Sequence, residues 1–94
     1  MKIVFKGPFQ SRLESQVEYI SQDSPLRARK FKSDLFKKIR EIPRNPYSYR
    51  KSVYFNDKTI RDLIFKGYTI VFRLAEARIE VFGFVKFQNE VKEE

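Results

Sequence analysis

The part of the chain that most constrains its fold is residues 60–85, where strand-like runs alternate with two tight turns. Three runs rich in β-branched and aromatic residues span residues 60–65, 68–74 and 78–85. Lys66 and Gly67 separate the first two runs, and glycine supplies the positive φ that a two-residue hairpin turn needs. Ala75-Glu76-Ala77 marks the second turn. The pattern therefore predicts two hairpins that form an antiparallel meander.

A first helix is predicted before the meander. Its apolar residues recur at spacings of four, four and three, as on one helix face: Phe9, Leu13, Val17 and Ile20. Gly7-Pro8 is predicted to end the strand that precedes this helix. Ser11 and Glu14 have the spacing of a capping box. We therefore expect this helix to begin near Ser11 and to end near Ser21.

A second helix is predicted to follow at once. Asp23-Ser24-Pro25 provides a capping side chain and then proline at the first helical position, where its missing N–H is harmless. One apolar stripe follows, made of Ala28, Phe31, Leu35, Ile39 and Ile42. Pro43 is predicted to end the helix.

The remaining segments complete an α+β fold. Residues 2–6 alternate in polarity and predict a first strand. Residues 43–58 contain two prolines and no clear period, so we expect an irregular segment with a short strand around residues 53–55. The order β-α-α-β-β-β predicts one domain over residues 1–94, in which a helical hairpin packs on an antiparallel sheet.

The positive charge of the chain is concentrated in one segment. Residues 27–51 contain ten basic and two acidic residues, a balance of +8 that equals the net charge of the whole chain. A solvated helix face rich in Lys and Arg would explain this segment. A surface that meets a polyanion or an acidic protein would explain it equally well.

Composition excludes several classes of site. The chain has no cysteine and no histidine, which excludes disulfides, thiolate metal sites and nucleophiles that rely on a histidine base. The carboxylates show no metal-loop spacing, and we expect no cofactor. No apolar run approaches ~18 residues, and residues 1–6 are too short and too charged for a signal peptide. We therefore expect a cytoplasmic protein without a membrane partner.

Five cations are candidates for binding a target. Arg61, Arg73 and Lys86 either flank the core as snorkelling or ion-paired side chains, or form one basic, concave sheet face for phosphates or carboxylates. Arg50 and Lys51 lie among three tyrosines. Such interleaving can stack on and pair with nucleic acid, although packing of the loop against the domain is the commoner explanation. The pattern identifies no catalytic residue.

The hairpin over residues 60–73 resembles the R-x-L…Y-x-I-x-Y-R hairpin of the ParE/RelE superfamily, the toxins of type II toxin–antitoxin and plasmid-stabilisation modules. Further motifs resemble the family in the same order: Tyr19-Ile20 with Ser24-Pro25 and Ala28, Ile42-Pro43 with Pro46-Tyr47, and residues 79–84. The resemblance covers nearly the whole chain. It implies a toxin that inhibits growth and is neutralised by a cognate antitoxin.

The family implies two activities, since some members cut mRNA in the ribosomal A site and others poison DNA gyrase. Members that cut RNA usually carry a basic residue after the hairpin tyrosine and an Arg and a Tyr after the last strand. This chain has Thr69 at the first position and Gln88-Asn89 in its tail. Arg61 matches a position common in the gyrase branch, whereas the usual His-x-Arg ending of that branch is replaced around Lys86 and Gln88.

We therefore expect a toxin that binds its target rather than one that cleaves RNA, with DNA gyrase favoured. The first alternative is a ribosome-dependent mRNA endoribonuclease that uses Lys86, Arg73 and Arg61 in a rearranged site. The second is a non-toxic, basic nucleic-acid-binding domain.

A cognate antitoxin is the expected protein partner. Toxins of this family are usually wrapped by an antitoxin helix, and the concentrated positive charge favours an acidic one. We place the contact at Arg27, Lys30, Lys37 and Lys38 and in an apolar groove beside them. A toxin–antitoxin heterotetramer is the assembly to be considered.

Overall fold

The computed structural model describes residues 1–86, in which two helices pack on one face of a five-stranded sheet. In chain order the elements are β1 Lys2–Phe5, α1 Gly7–Asp23, α2 Pro25–Arg40, β2 Arg50–Lys51, β3 Ile60–Phe65, β4 Tyr68–Ala75 and β5 Arg78–Lys86. Two short 3₁₀ turns, Ile42–Arg44 and Pro46–Ser48, lie between α2 and β2. The α+β class and the β-α-α-β-β-β order are confirmed, with β2 as one additional short strand.

The first helix begins earlier than predicted. Gly7 starts α1, Pro8 occupies the first turn, and Lys6 is an N-cap whose side chain makes no capping bond. Proline is tolerated there because the first N–H groups of a helix have no partner within it. Ser11 and Glu14 consequently lie inside the helix, and the predicted start near Ser11 is wrong.

The second helix begins as predicted. The Ser24 hydroxyl accepts a hydrogen bond from the Arg27 N–H at 3.2 Å, and Pro25 follows at the first helical position. The apolar stripe is buried along its length, from Ala28 to Ile39. The helix ends at Arg40, and Ile42 and Pro43 continue the turn in a 3₁₀ helix.

The sheet has the order β1-β5-β4-β3-β2 and is mixed rather than fully antiparallel. The antiparallel pairs β3–β4 and β4–β5 form the predicted meander, whereas β1 runs parallel to β5. Lys66 and Gly67 both have positive φ in the β3–β4 turn, as a tight hairpin requires. Gly83 allows the close approach of β5 to Val71, where an added Cβ would lie 2.9 Å from the valine Cβ.

The short strand in the connecting segment lies at residues 50–51, and the predicted strand at residues 53–55 is wrong. The Ser52 N–H still bonds to the Ile60 carbonyl at 2.8 Å, which continues the pairing with β3. The Val53 N–H turns instead to the Asp62 carboxylate at 3.1 Å. A carboxylate side chain thus replaces a backbone carbonyl as the hydrogen-bond acceptor. The backbone pairing with β3 ends at this point.

One hydrophobic core fills the space between the helices and the sheet. Its fully buried centre combines Phe9 of α1 with Leu35 and Ile39 of α2 and with Phe72 of β4. No helix within residues 1–86 is both long enough and apolar enough to cross a bilayer.

Candidate functional site

Arg61 and Arg73 lie on opposite faces of the sheet. The β3–β4 register pairs Arg61 with Phe72, which faces the helices, and pairs Ile60 with Arg73 on the outer face, away from the helices. Neighbouring residues of a strand point to opposite faces, so one register cannot bring both arginines to the same side. Of the two alternatives for these arginines, the basic, concave face that would combine them is therefore not formed.

Arg61 is bound to the backbone of the segment that precedes it in sequence. Its guanidinium donates to three carbonyl oxygens, those of Lys58 at 2.9 Å, Tyr49 at 2.9 Å and Tyr47 at 3.3 Å. It also lies 5.0 Å from the centre of the Tyr47 ring, a cation–π distance. A planar cation with five N–H donors suits this role, because it can satisfy several carbonyls at once.

Asp62 binds the segment between α2 and β3 from the outer face of the sheet. Its side chain is fully buried, and one oxygen, Oδ2, accepts hydrogen bonds from Arg50 Nε at 3.2 Å and from the Val53 N–H at 3.1 Å. The same oxygen lies 3.1 Å from Arg50 Nη2 in an ion pair. The other oxygen, Oδ1, is buried and accepts no hydrogen bond from any residue in the range 1–86. Arg61 on the helix-facing side of β3 and Asp62 on the outer side thus both bind the segment that connects α2 to β3. We call this arrangement, together with Arg50, the segment clamp.

Arg73 is paired on the outer face. It lies 3.5 Å from Asp57 and 3.8 Å from Glu80, and its guanidinium lies 5.7 Å from the centre of the Phe82 ring. Hydrogen bonds from Thr59, together with the charge of Arg73, lower the pKa of Asp57. Arg50, Arg61 and Arg73 are therefore all engaged within the domain.

A large cavity lies where α1 ends, α2 begins, β3 turns into β4 and β5 ends. Its volume is about 700 Å³. Its inner wall is aromatic, with Phe31 and Tyr68 in edge-to-face contact at 5.3 Å, and Tyr19 stands exposed beside it. Four cations line the cavity as well: Arg27, Lys30, Lys66 and Lys86. We call this feature the basic cavity.

The cations of the basic cavity are only partly neutralised. Arg27 pairs with Asp23 at 2.9 Å, and Asp34 accepts from Lys30 at 3.2 Å and lies 3.6 Å from Lys66. The hydrogen bond from Lys30, together with the charges of Lys30 and Lys66, lowers the pKa of Asp34. Two carboxylates face four cations, so the rim keeps a positive balance.

Tyr68 contributes an uncharged phenol to the basic cavity. Burial is the main reason that its pKa is raised above the ordinary value of 10.0. Its ring stacks on Phe84 at 5.0 Å, which fixes its position beside Lys86, its partner on β5. The cavity is thus apolar in its depth and cationic at its edge, and it suits an acidic segment with apolar side chains.

Two further depressions border the helices. One of about 410 Å³ shares Gln16, Tyr19 and Lys86 with the basic cavity and extends it along α1 past Arg12. The other, of about 300 Å³, lies between α1 and α2 and is lined mainly by apolar residues, among them Phe5, Leu13, Val17 and Phe36. The second depression is an apolar groove of the kind predicted beside the basic segment.

The residues predicted to bind an antitoxin and those predicted to bind a target do not form two separate groups in the structure. Arg27 and Lys30, predicted to bind an antitoxin, meet Lys86, predicted to bind a target, at the basic cavity. Lys37 and Lys38 are exposed farther along α2, outside this cavity, and Lys51 is exposed on β2. Sequence reasoning missed Lys66, Tyr19 and Tyr68, because only the fold brings a hairpin turn against the start of α2.

Nothing in the described part of the chain resembles a metal centre. No three carboxylates within residues 1–86 are grouped so that they could hold a metal ion. Arg61, Arg73 and Lys86 are not gathered around one point either, so the rearranged site expected for RNA cleavage is not formed by these three residues. Gln88 and Asn89 lie outside the described residues.

Comparison with known families gives one match. The model for the family described as "ParE toxin of type II toxin-antitoxin system, parDE" matches residues 3–88. No curated protein sequence matches the chain. The matched range includes both the basic cavity and the segment clamp.

Proposed function

Because the chain belongs to the ParE toxin family of type II toxin–antitoxin systems, we propose that it inhibits growth in the cytoplasm by binding DNA gyrase. A cognate antitoxin neutralises it by docking in the basic cavity. Membership of the family supports the role as a toxin. The basic cavity supports the proposed mode of neutralisation by the antitoxin.

The observation that carries the antitoxin site is the combination of a cationic rim with an aromatic wall in one concave surface. An amphipathic antitoxin segment can place apolar side chains against Phe31 and Tyr68 and carboxylates beside Lys66 and Lys86. The depression along α1 gives such a segment a continuous path. A segment that instead follows α2 also meets Lys37 and Lys38.

Binding of a target is favoured over RNA cleavage by the positions of the candidate residues. Thr69, which stands where the RNA-cutting members carry a basic residue, is only 2% exposed. Arg61 and Arg73 are held in hydrogen bonds and ion pairs on opposite faces. An arginine stays protonated and cannot readily act as a proton shuttle, and the chain has no histidine to do so.

Induction of the chain alone in bacteria tests the target. The mRNA 5′ ends and the DNA breaks covalently linked to gyrase are mapped in the same culture. Gyrase-linked breaks with intact mRNA are the expected result. Codon-positioned mRNA cuts that disappear in Lys86→Ala would contradict the proposal and establish the endoribonuclease alternative.

Co-purification with the product of the adjacent open reading frame tests the antitoxin. A stable complex is expected, with an association rate that falls as salt is raised, because exposed charges are screened. Light scattering of the complex decides whether it is a heterotetramer. Failure to form any complex, or unchanged growth at verified expression of the chain alone, would contradict the toxin–antitoxin assignment.

A further inference from the structure

One side of α2 presents cations to solvent along most of the helix. Arg29, Lys37 and Arg40 are exposed, and the exposed Ser33 lies between them. Their spacings of four, four and three residues place all four on one side of the helix, away from its buried apolar stripe. The array extends roughly 16 Å along the helix axis. We call these four residues the solvent face of α2, and none of them lines the basic cavity.

The three cations of the solvent face form no ion pair with any residue in the range 1–86. The carboxylates nearest in sequence or packing lie elsewhere. Asp34 is the single acid of α2, and it is paired with two lysines of the basic cavity. Glu14 of α1 lines the apolar groove between the helices. Burial, together with the charge of Glu41, raises the pKa of Tyr49, which places the Glu41 carboxylate near that phenol.

Helix stability alone does not explain the charge of the solvent face. Residues 25–33 contain four cations and no acid, although the N-terminal end of a helix has a partial positive charge that disfavours cations. Lys37 and Arg40 lie near the C-terminal end, where a cation is favourable, but three residues apart they repel each other. An anion bound along the helix would neutralise the cations at both ends.

The composition of the solvent face distinguishes between anionic partners. The core of a protein–protein interface is apolar and poor in charge, whereas no exposed apolar side chain lies between Arg29 and Arg40. No exposed ring lies there either, so the bases of a single strand would have no stacking partner. A membrane-bound helix inserts an apolar side, but the apolar stripe of α2 is buried in the core.

A nucleic-acid duplex is the anionic partner that these side chains suit. Its phosphate oxygens accept hydrogen bonds from Arg, Lys and Ser side chains, and such contacts need no apolar centre. The charges of one strand follow each other at a rise of about 3.4 Å, so a helix face roughly 16 Å long can follow several phosphates. Backbone contacts of this kind carry no base sequence preference.

We propose that the solvent face of α2 binds the phosphate backbone of duplex DNA, and that on gyrase it contacts the DNA that the enzyme holds. The contact on gyrase rests on the proposed function, whereas the binding of duplex DNA does not. Because the solvent face lies outside the basic cavity, antitoxin docking and DNA binding are separable by mutation.

The test measures binding of the full chain to a labelled DNA duplex of random sequence at several salt concentrations. The double variant Arg29→Gln/Lys37→Gln is compared with the wild type and with Lys51→Gln/Lys58→Gln. This matched control removes the same charge from two exposed lysines outside α2. Thermal unfolding midpoints close to that of the wild type are expected for both variants, because none of the replaced side chains forms an ion pair within residues 1–86.

The dependence of affinity on salt counts the phosphate contacts. Each contact contributes about −0.9 to the slope of log affinity against log salt, so three cations predict a slope of about −2.7 and the double variant about −0.9. Its affinity at low salt should fall at least roughly tenfold. The lysine control should keep the slope and affinity of the wild type within about twofold. Equal losses in both variants, or no duplex binding by the wild type, would overturn the inference.

Further probes decide whether DNA is the partner. Duplex RNA of the same sequence should bind no more tightly than DNA, and the double variant should keep its antitoxin affinity within about twofold. Tighter binding to RNA would overturn the assignment to DNA. So would binding to vesicles of anionic phospholipid that depends on Arg29 and Lys37, or a loss of antitoxin affinity as large as the loss of DNA affinity.

Gyrase-linked DNA breaks separate this inference from the proposed function. The double variant should need roughly tenfold more toxin than the wild type to trap gyrase on DNA, in line with its weaker DNA binding. An unchanged requirement would overturn the contact on gyrase and leave gyrase as the target. A wild-type chain that binds duplex DNA through Arg29 and Lys37 but traps no gyrase would overturn gyrase as the target and support the DNA-binding face.

Discussion

The segment clamp and the basic cavity use the same kinds of side chain in opposite ways. In the clamp, Arg61 donates to three backbone carbonyls, and Arg50 neutralises a carboxylate that is fully buried. At the cavity, the side chain of Arg27 is 66% exposed and that of Lys30 is 72% exposed, and both pair only with surface carboxylates. A cation engaged with several backbone carbonyls or with a buried carboxylate stabilises the fold, whereas one that pairs only at the surface remains available to a partner.

The largest effect on stability is expected from Arg50→Ala. This change leaves the buried Asp62 carboxylate without its cation, which should lower the free energy of unfolding by roughly 3 kcal/mol. Lys51→Ala, at the neighbouring exposed position, is the matched control and should change it by less than about 0.5 kcal/mol. Urea denaturation measures both. Equal stability of the two variants would show that the clamp does not distinguish Arg50 from a surface cation.

A somewhat smaller loss is expected from Arg61→Lys. Lysine keeps the charge but cannot reach three carbonyls in a fixed plane, so the free energy of unfolding should fall by about 2 kcal/mol. The loop over residues 45–58 should also become more sensitive to limited proteolysis, because its backbone acceptors lose their donor. A lysine variant as stable and as protease-resistant as the wild type would contradict the role given to the guanidinium.

An effect on binding without a loss of stability is expected from Lys86→Glu. The reversed charge at the rim of the basic cavity should weaken antitoxin binding about tenfold, or about 1.4 kcal/mol. Lys37→Glu changes the net charge of the chain equally but lies outside the cavity, so its effect should be clearly smaller. Calorimetric titration at two salt concentrations compares them. Equal losses would mean that only the total charge of the toxin matters.

The smallest effect is expected from Asp34→Asn at acid pH. The pKa of Asp34 is lowered below its ordinary 3.8 in the folded chain by the hydrogen bond from Lys30, so its contribution to stability is complete above that value. It is lost as the pH falls through the folded pKa. The asparagine variant should therefore show a slightly shallower loss of stability below about pH 4. Superimposable acid unfolding curves would contradict this contribution.

Most of the fold could be predicted from the sequence because its signals are local. The Lys66-Gly67 turn and the apolar stripe of α2 each depend on neighbouring residues, and both were confirmed. The start of α1 was misplaced because proline can open a helix as well as break a strand. The short strand was predicted at the wrong residues because the Val53 N–H donates to the side chain of Asp62, nine residues later, and not to a backbone carbonyl.

The candidate site was harder to predict, because it depends on register and on contacts that are distant in sequence. Arg61 and Arg73 each looked like a surface cation of a strand, and only the pairing of β3 with β4 shows that they face opposite sides. No sequence pattern indicated that Lys66 is a site residue, because its position beside α2 follows from the packing of the whole hairpin. The segment of concentrated charge does contain Arg27 and Lys30, which line the basic cavity.

The division between structural and available cations is tested most directly by measuring unfolding free energy and antitoxin affinity on the same six glutamine variants. Three replace the engaged arginines Arg50, Arg61 and Arg73, and three replace the cavity cations Arg27, Lys30 and Lys86. We expect the first three to lose stability while the folded fraction binds antitoxin normally, and the second three to lose affinity at nearly unchanged stability. Variants from both groups that lose stability and affinity in proportion would contradict the division.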